Sequence, residues 1–239
     1  MGALEGQVAV ITGAGRGMGA AIASAFAGAG ARVGLIARTA SDLQVVAGAI
    51  AEAGGVAEPA VADVTQRGQV QAAVAHLRAA LGPVDILVNS AGVATTNTVV
   101  EMPEADWDRQ FDTNVKAVML CSQAVLPDMI ARRRGLIINI GSMAGLVPGG
   151  PGGTAYVASK WALVGLSRCL SLELKPHNVR VTLLNPGTTD TPFRPDEFGK
   201  HPEWMQASDV AEAALFVATM REPVSIHELA FSVTRDGWG

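Results

Sequence analysis

Tyr156 and Lys160 are the pair of reactive side chains whose spacing first suggests chemistry. They stand four residues apart in a segment of helical periodicity, which puts the phenol and the ammonium on one face of a helix. A nearby positive charge favours the phenolate, and lowering the pKa of a phenol by about three units requires about 4 kcal/mol. The pair therefore suits general acid and base catalysis, although the same spacing also arises when a tyrosine packs and a lysine reaches out to solvent.

Ser142 adds a hydroxyl that fits the same chemistry. It follows Gly141 at the end of a predicted strand and precedes Tyr156 by 14 residues. Residues that follow the strands of a parallel sheet gather at one edge of that sheet, where open α/β folds bind their ligands. We therefore predict that Ser142 polarises a substrate oxygen and that Tyr156 exchanges a proton with it.

The elements that must position these residues follow one pattern along the chain. Short β-branched runs alternate with Ala-rich segments of helical period, which predicts a parallel sheet with crossover helices. The predicted strands are Val8–Thr12, Arg32–Ile36, Val56–Val61, Val84–Val88, Leu136–Ile140, Val179–Leu183 and Leu229–Val233. The predicted helices are Met18–Ala29, Asp42–Ala53, Gln66–Leu81, Glu104–Arg133, Ala155–Lys175 and Ser208–Met220, and Pro127 should kink or tighten the fourth of them.

This pattern and a length of 239 residues predict an α/β fold with a single Rossmann-type doubly wound parallel sheet. We expect about seven strands with helices on both faces of the sheet. We also expect one domain over residues 1–239, with a short substrate loop at about 188–206.

A glycine-rich turn lies between the first predicted strand and the first predicted helix. It holds Gly13, Arg16, Gly17, Met18 and Gly19. Glycines here let the backbone turn tightly and approach a pyrophosphate at the N-terminus of the helix. The turn predicts a dinucleotide site, with a purely structural strand-to-helix turn as the alternative.

The glycine spacing G-x-x-x-G-x-G, the serine and the Tyr-x-x-x-Lys pair together resemble the short-chain dehydrogenase/reductase family. The resemblance covers almost the whole chain. It implies transfer of a hydride between C4 of a nicotinamide cofactor and the carbon of a carbonyl or alcohol group. It also implies that Tyr156 gives or takes the proton, that Ser142 orients the oxygen, and that Lys160 binds the nicotinamide ribose and tunes Tyr156.

The end of the second predicted strand bears on the choice of cofactor. NAD-preferring enzymes place a carboxylate here to bind the ribose 2′-hydroxyl, whereas this sequence has Ala37, Arg38 and Thr39. Alanine removes the group that would repel a 2′-phosphate, and Arg16 and Arg38 can pair with that phosphate through charge-assisted forks. We predict NADP(H), with Arg38 and Thr39 among its contacts; two solvated arginines at loop edges are the alternative.

Further segments resemble motifs of the same family. Asp63 and Val64 resemble the pair that contacts adenine, although Asp63 could instead cap a helix. Asn114 resembles the asparagine that perturbs the fourth crossover helix and holds a proton-relay water, and by itself it would be an ordinary polar helix residue. The other cofactor-binding positions that the resemblance implies are Asn89, Ala91, Gly92, Pro186, Gly187, Thr189 and Thr191, with Ser90 standing where the family has asparagine.

Composition limits the classes of partner. Lys+Arg 18 against Asp+Glu 22 gives a net charge of −4, which provides no global field for nucleic acid or an anionic membrane. Two cysteines are too few for a disulfide framework, and neither a membrane-spanning run nor an export signal is recognised, so we expect a cytoplasmic location. The four histidines are scattered, which predicts no metal site.

A largely apolar set of residues predicts the class of substrate. We expect an uncharged ketone or aldehyde in an apolar pocket formed by Val93, Met143, Leu146, Val147, Phe193 and Trp204 or Met205.

One alternative function is that of a 3-oxoacyl-acyl-carrier-protein reductase, because Arg132-Arg133-Arg134 resembles part of the basic patch of such enzymes, whereas Leu172 stands where they often have arginine. A non-catalytic NADP(H)-binding sensor is disfavoured because the tyrosine and the lysine are both present. The resemblance also implies a homotetramer or homodimer formed through the fourth and fifth crossover helices.

Overall fold

A computed structural model describes residues 2–147 and 149–234. Its strands are β1 Val8–Thr12, β2 Arg32–Ala37, β3 Val56–Val61, β4 Ile86–Asn89, β5 Gly135–Ile140, β6 Val179–Pro186, β7 Thr189–Asp190, β8 Met205–Gln206 and β9 Glu228–Phe231. Seven of them form one parallel sheet in the order β3-β2-β1-β4-β5-β6-β9. The chain runs outward from β1 to β2 and β3 on one side and continues with β4 on the other side of β1. This reversal creates a crevice at the carboxyl ends of β1 and β4, the position where open α/β sheets bind ligands.

Helices cover both faces of this sheet. They are α1 Gly17–Gly28, α2 Ala40–Glu52, α3 Arg67–Leu81, α4 Glu104–Phe111, α5 Ala117–Arg132, α6 Thr154–Leu174 and α7 Ala207–Thr219. Across the described ranges, none of these helices combines the length and apolar character that crossing a bilayer requires.

The side chains of β1 show why both faces are covered. Ala9 and Ile11 pack into the core beneath α1, α2 and α7, whereas Val8 and Val10 pack into the core beneath α3 and α5. All five residues of the strand are buried. A strand buried on both faces needs apolar side chains at successive positions, and this produces the continuous apolar run seen in the sequence.

The predicted fold class is confirmed, and most element bounds agree closely with those predicted. The long helix predicted at Glu104–Arg133 is divided by a π-helical segment at Asp112–Lys116, which lies between α4 and α5. Pro127 lies within α5, which continues past it as one helix. The strand predicted at Val179–Leu183 extends to Pro186, so it delivers its last residues directly to the edge of the sheet.

The pairing of β7 with β8 was not predicted, and it anchors both ends of the loop at 188–206. Thr189 pairs with Met205 and Asp190 with Gln206. Met205 is buried in the core beneath α7. The residues between these two short strands are therefore held beside the carboxyl end of β6, where they can cover a cavity.

Candidate active site

Two cavities that share lining residues open at the carboxyl edge of the sheet. The first has a volume of about 640 Å³ and is lined by Ser142, Tyr156 and Lys160; we call it the tyrosine cavity. The second, of about 310 Å³, is lined by the glycine turn and by Arg38; we call it the glycine-turn cavity. The shared residues are Met18, Ser90, Gly92, Thr191 and Phe193. A single extended ligand can therefore contact both cavities.

Ser142 is fixed at the end of β5 through its backbone and its side chain. Its N–H donates to Oδ1 of Asn185 at 3.1 Å, and its Oγ accepts from the N–H of Ala144 at 3.1 Å. The hydroxyl also opposes the rise in the pKa of the neighbouring Tyr156 phenol. Because Oγ already accepts from Ala144, its own hydrogen is available for donation to the phenol or to a substrate oxygen.

Asn185 was missed by the sequence analysis, and it positions Ser142. It is completely buried at the end of β6, and its Nδ2 donates to Oε1 of Glu228 at 3.0 Å. Glu228 pairs in turn with Arg168 at 2.9 Å. A side chain at Gly141 would place its Cβ 2.0 Å from Oδ1 of Asn185, so the backbone before Ser142 can approach this amide only as glycine. The hydroxyl is thus held by a network that spans β5, β6 and β9.

Tyr156 lies in the first turn of α6 and faces the tyrosine cavity. Desolvation raises the pKa of its phenol above the ordinary value of 10.0, while the Ser142 hydroxyl and the positive charge of Arg194 act in the opposite direction. Its ring centroid lies 6.0 Å from that of Phe193. The phenol therefore holds its proton near neutral pH, as a group that protonates a carbonyl oxygen must.

Lys160 lies one helical turn beyond Tyr156, as their spacing predicts. Its Nζ donates to the backbone oxygen of Ile140 at 3.0 Å and lies 5.6 Å from the centroid of the Tyr156 ring. The residue is only 6% exposed, and burial lowers the pKa of the ammonium from 10.5 to about 8. An ammonium has three N–H donors, so two remain for a ligand in the cavity.

The buried ammonium should be visible in the pH dependence of stability. The folded-state pKa of Lys160 is lowered to about 8 from 10.5. The unfolded chain therefore binds more protons than the folded chain between these values, and the free energy of unfolding rises with pH across that window. Measured by chemical denaturation, the wild type should gain about 2 kcal/mol relative to Lys160→Met between about pH 7 and about pH 9.5.

The comparison of these two proteins removes the contributions of other groups. The thiol of Cys121, whose pKa burial raises to about 12, is present in both and cancels in the difference. A difference in unfolding free energy that does not change with pH would contradict an ammonium buried at the position of Lys160.

Asn114 lies inside the π-helical segment and is almost completely buried. Its Oδ1 accepts from the N–H of Val93 at 2.9 Å, and its Nδ2 donates to the oxygen of Val93 and to Oγ of Ser159, each at 2.9 Å. Ser159 then donates to the backbone oxygen of Tyr156 at 2.7 Å. These contacts occupy the amide, so its side chain ties the loop after β4 to the start of α6.

The glycine turn packs directly against the turn that follows β4. Gly13 has a φ of +66°, and a Cβ there would lie 2.8 Å from Cα of Ala91. A Cβ at Gly19 would lie 2.3 Å from the oxygen of Gly13. Oγ1 of Thr12 accepts from the N–H groups of Ser90 and Ala91 at 3.1 and 3.2 Å. The absence of side chains at Gly13 and Gly19 is therefore required by packing within the protein, in addition to any approach of a phosphate.

The glycine-turn cavity has basic residues where the sequence placed them. Arg16, Arg38 and Thr39 line it together with Ala37. Neither arginine forms an ion pair with any residue in the described ranges. Their guanidinium groups therefore retain their donors for an anionic ligand, which fits a phosphate group at this end of the site.

Most other predicted cofactor positions also line one of the cavities. Asp63 lines the glycine-turn cavity, and its Oδ1 accepts from the N–H and Oγ1 of Thr65 at 2.9 and 2.8 Å, so it shapes the turn before α3. Lining residues from the same prediction are Gly13, Gly17, Met18, Gly19, Val64, Ala91, Gly92, Pro186, Gly187, Thr189 and Thr191. The nucleotide-binding hypothesis is therefore consistent with where these residues lie.

Asn89 differs from the other predicted positions, because it lines neither cavity within the described ranges. It is 3% exposed, and its Nδ2 donates to Oδ1 of Asn139 at 2.8 Å. Asn139 donates in turn to Oγ of Ser167 at 2.9 Å. The side chain of Asn89 therefore contributes to the connection of β4, β5 and α6 beneath the site.

The predicted apolar pocket is wrong in most of its members. Phe193 lines the tyrosine cavity and Val93 the glycine-turn cavity, but Met143, Leu146, Val147, Trp204 and Met205 line neither among the described residues. Thr95, Thr96 and Gly149–Pro151 form one wall instead. The loops that make this wall are joined by a bond from the N–H of Asn97 to the oxygen of Gly152 at 3.0 Å. The other wall includes Arg194, which the sequence analysis did not single out.

Two arginines of the run at 132–134 have partners within the chain. Arg132 bonds to Asp85 at 2.7 Å and also to the oxygen of Val84, and Arg134 lies 3.5 Å from Glu222. Their positive charge is therefore partly compensated at this surface. Among the described residues, His, Cys, Asp and Glu form no group of three that could hold a metal ion.

The comparisons with known proteins agree with this geometry. The family model described as short chain dehydrogenase matches residues 7–201. An uncharacterized oxidoreductase of Staphylococcus saprophyticus is 36% identical over 227 residues, which cover 95% of this chain and 97% of the relative. A 3-oxoacyl-[acyl-carrier-protein] reductase of Thermotoga maritima is 37% identical over 80% of this chain and 77% of its own length. The crystal structure of a metagenomic short-chain oxidoreductase in complex with NADP matches with a TM-score of 0.85 and 39% identity, over 96% of this chain and 98% of that chain.

Proposed function

This chain belongs to the short-chain dehydrogenase family, and we propose that it is an NADP(H)-dependent oxidoreductase that reduces a ketone or oxidises the corresponding secondary alcohol. One observation supports this proposal most directly. Ser142, Tyr156 and Lys160 lie around one cavity, and that cavity shares some of its lining residues with the glycine-turn cavity. When bound, the nicotinamide cofactor supplies or accepts the hydride.

The three side chains have complementary tasks in the proposed reduction. Tyr156 protonates the carbonyl oxygen, since the desolvated phenol holds its proton until an acceptor is present. Ser142 donates its hydroxyl hydrogen to the same oxygen and stabilises the negative charge that develops there. Lys160, whose ammonium lies 5.6 Å from the tyrosine ring, stabilises the phenolate that remains. In the oxidative direction the same groups act in reverse.

The choice of NADP(H) is supported by the charge of the glycine-turn cavity. Arg16 and Arg38 both line it, and Ala37 stands where a carboxylate would select NAD. The metagenomic short-chain oxidoreductase that matches this chain was crystallised with NADP. These observations favour a cofactor that carries a 2′-phosphate.

A second candidate function is the reduction of a 3-oxoacyl group on an acyl carrier protein. The similarity to the Thermotoga maritima reductase favours it. The pairing of Arg132 with Asp85 and of Arg134 with Glu222 reduces the free positive charge that an acidic carrier would meet. We therefore favour a small-molecule substrate. Strong competition by an acyl carrier protein, weakened when the three arginines are neutralised, would reverse this preference.

Oxidation of NADPH and NADH over a panel of ketones, diketones, aldehydes and 3-oxoacyl thioesters tests the proposal. We expect turnover with at least one ketone, and a higher kcat/KM with NADPH than with NADH. Calorimetry should show NADPH binding in parallel. NADPH binding without turnover of any carbonyl or alcohol would indicate a non-catalytic sensor and would overturn the proposed activity.

A further inference from the structure

Arg194 lies where the loop after β7 reaches the tyrosine cavity. Along this loop, Thr191 lines both cavities, Pro192 lines the glycine-turn cavity, and Arg194 lines the tyrosine cavity. Arg194 is therefore on the catalytic side of the site rather than beside the glycine turn. Among the described lining residues of the tyrosine cavity, it and Lys160 are the two basic ones.

The guanidinium of Arg194 is held at the rim but retains donors for a ligand. Its Cζ lies 5.7 Å from the centroid of the Trp204 ring, and Trp204 stacks on His201 with centroids 3.9 Å apart. Its NH1 lies 3.4 Å from Oε2 of Glu197, and both side chains of this pair are about half exposed. Such a long, solvated contact contributes little to stability, so a carboxylate of the substrate can replace it.

The positive charge of Arg194 acts on the phenol of Tyr156. It favours the phenolate of Tyr156 and so opposes part of the rise in the pKa of that phenol. A substrate group bound by Arg194 therefore lies near the oxygen that Tyr156 protonates. The other lining residues of this cavity include Ser90, Thr95 and Thr96, which offer hydroxyl groups to a substrate.

We propose that Arg194 binds a carboxylate of the substrate and that the substrate class is an oxo acid or the matching hydroxy acid. The inference rests on the proposed function and replaces the uncharged ketone that the sequence led us to expect. A planar guanidinium matches a carboxylate through two parallel hydrogen bonds. Asp196 and Glu197 line the same rim, and their charge opposes a doubly charged phosphate ester more strongly than a singly charged carboxylate.

The test compares substrates that differ only in charge. Methyl ketones with two to four methylene groups between the carbonyl and a terminal carboxylate are assayed beside their primary amides and the phosphate esters of equal length. The wild type should prefer at least one carboxylate to its amide by about 10- to 100-fold in kcat/KM, mainly through KM. In Arg194→Gln this ratio should fall to near one. Arg221→Gln removes the same charge from an exposed residue outside both cavities and should retain the wild-type ratio.

A binding measurement separates recognition from turnover. In ligand-observed NMR with the wild type, hexanoate should compete with the favoured oxo acid more strongly than hexanamide does, and Arg194→Gln should remove the difference. Turnover of carboxylates and amides with equal efficiency in the wild type would overturn the inference while leaving the proposed reductase function intact. A main effect of Arg194→Gln on the KM for NADPH would also overturn it, because the residue would then be a cofactor contact. Absence of turnover with every carbonyl in the panel would instead count against the proposed function.

Discussion

Replacement of Tyr156 by phenylalanine is expected to lower kcat by about 100- to 10,000-fold and to leave the affinity for NADPH within about twofold of the wild type. The substitution removes the phenolic oxygen that gives the proton, and it keeps the ring that packs 6.0 Å from Phe193. Lys160 retains its bond to Ile140. Stopped-flow absorbance of the reduced nicotinamide measures the rate, and calorimetry measures the affinity.

The chain offers a direct control for the state of this phenol. Tyr156 is the only tyrosine of the 239 residues, so the ultraviolet absorbance of phenolate reports on it alone. Because burial raises its pKa, we expect the midpoint of the phenolate signal in the unliganded wild type to lie above the ordinary tyrosine value of 10.0, and Tyr156→Phe to show no phenolate signal. Turnover by the phenylalanine variant that is comparable to the wild type would eliminate the phenol as the proton donor.

The parts of the site that the sequence predicted are those encoded by short segments. The glycine turn, the Tyr156–Lys160 spacing and the residues after each strand lie within one strand–turn–helix unit each, so local periodicity places them at the edge of the sheet. Their positions in the structure follow from that rule.

The residues that were missed depend on contacts between distant segments. Asn185, which was missed, meets the backbone of Ser142 across 43 residues. Asn114 was predicted, but its partner Ser159, which lies 45 residues away, was not. Asn185 directly precedes the Pro186-Gly187 turn at a strand end, which was a usable signal. Arg194 lies in a loop whose path is set by the pairing of β7 with β8, and the turn composition of that loop does not encode which cavity it reaches.

Arg16 and Arg38 should determine the preference for NADPH over NADH. The double variant Arg16→Gln/Arg38→Gln is expected to raise the KM for NADPH by about 100- to 1,000-fold, because each guanidinium loses a charge-assisted contact with the 2′-phosphate. The KM for NADH should change by about twofold or less, since NADH lacks that phosphate. Arg67→Gln, which changes an exposed arginine bonded to Gln123, is a matched control and should leave both values unchanged.

The variant Ala37→Asp tests the selectivity for NADPH over NADH by adding a negative charge instead of removing positive ones. Ala37 ends β2 and lines the glycine-turn cavity, so a carboxylate there would repel a 2′-phosphate and could accept a hydrogen bond from the ribose hydroxyl of NADH. The ratio of kcat/KM for NADPH to that for NADH should therefore fall in this variant as it does in the double arginine variant. If both variants kept the wild-type ratio, Arg16 and Arg38 would line the cavity without binding the 2′-phosphate, and the preference for NADP(H) would have to come from elsewhere in the site.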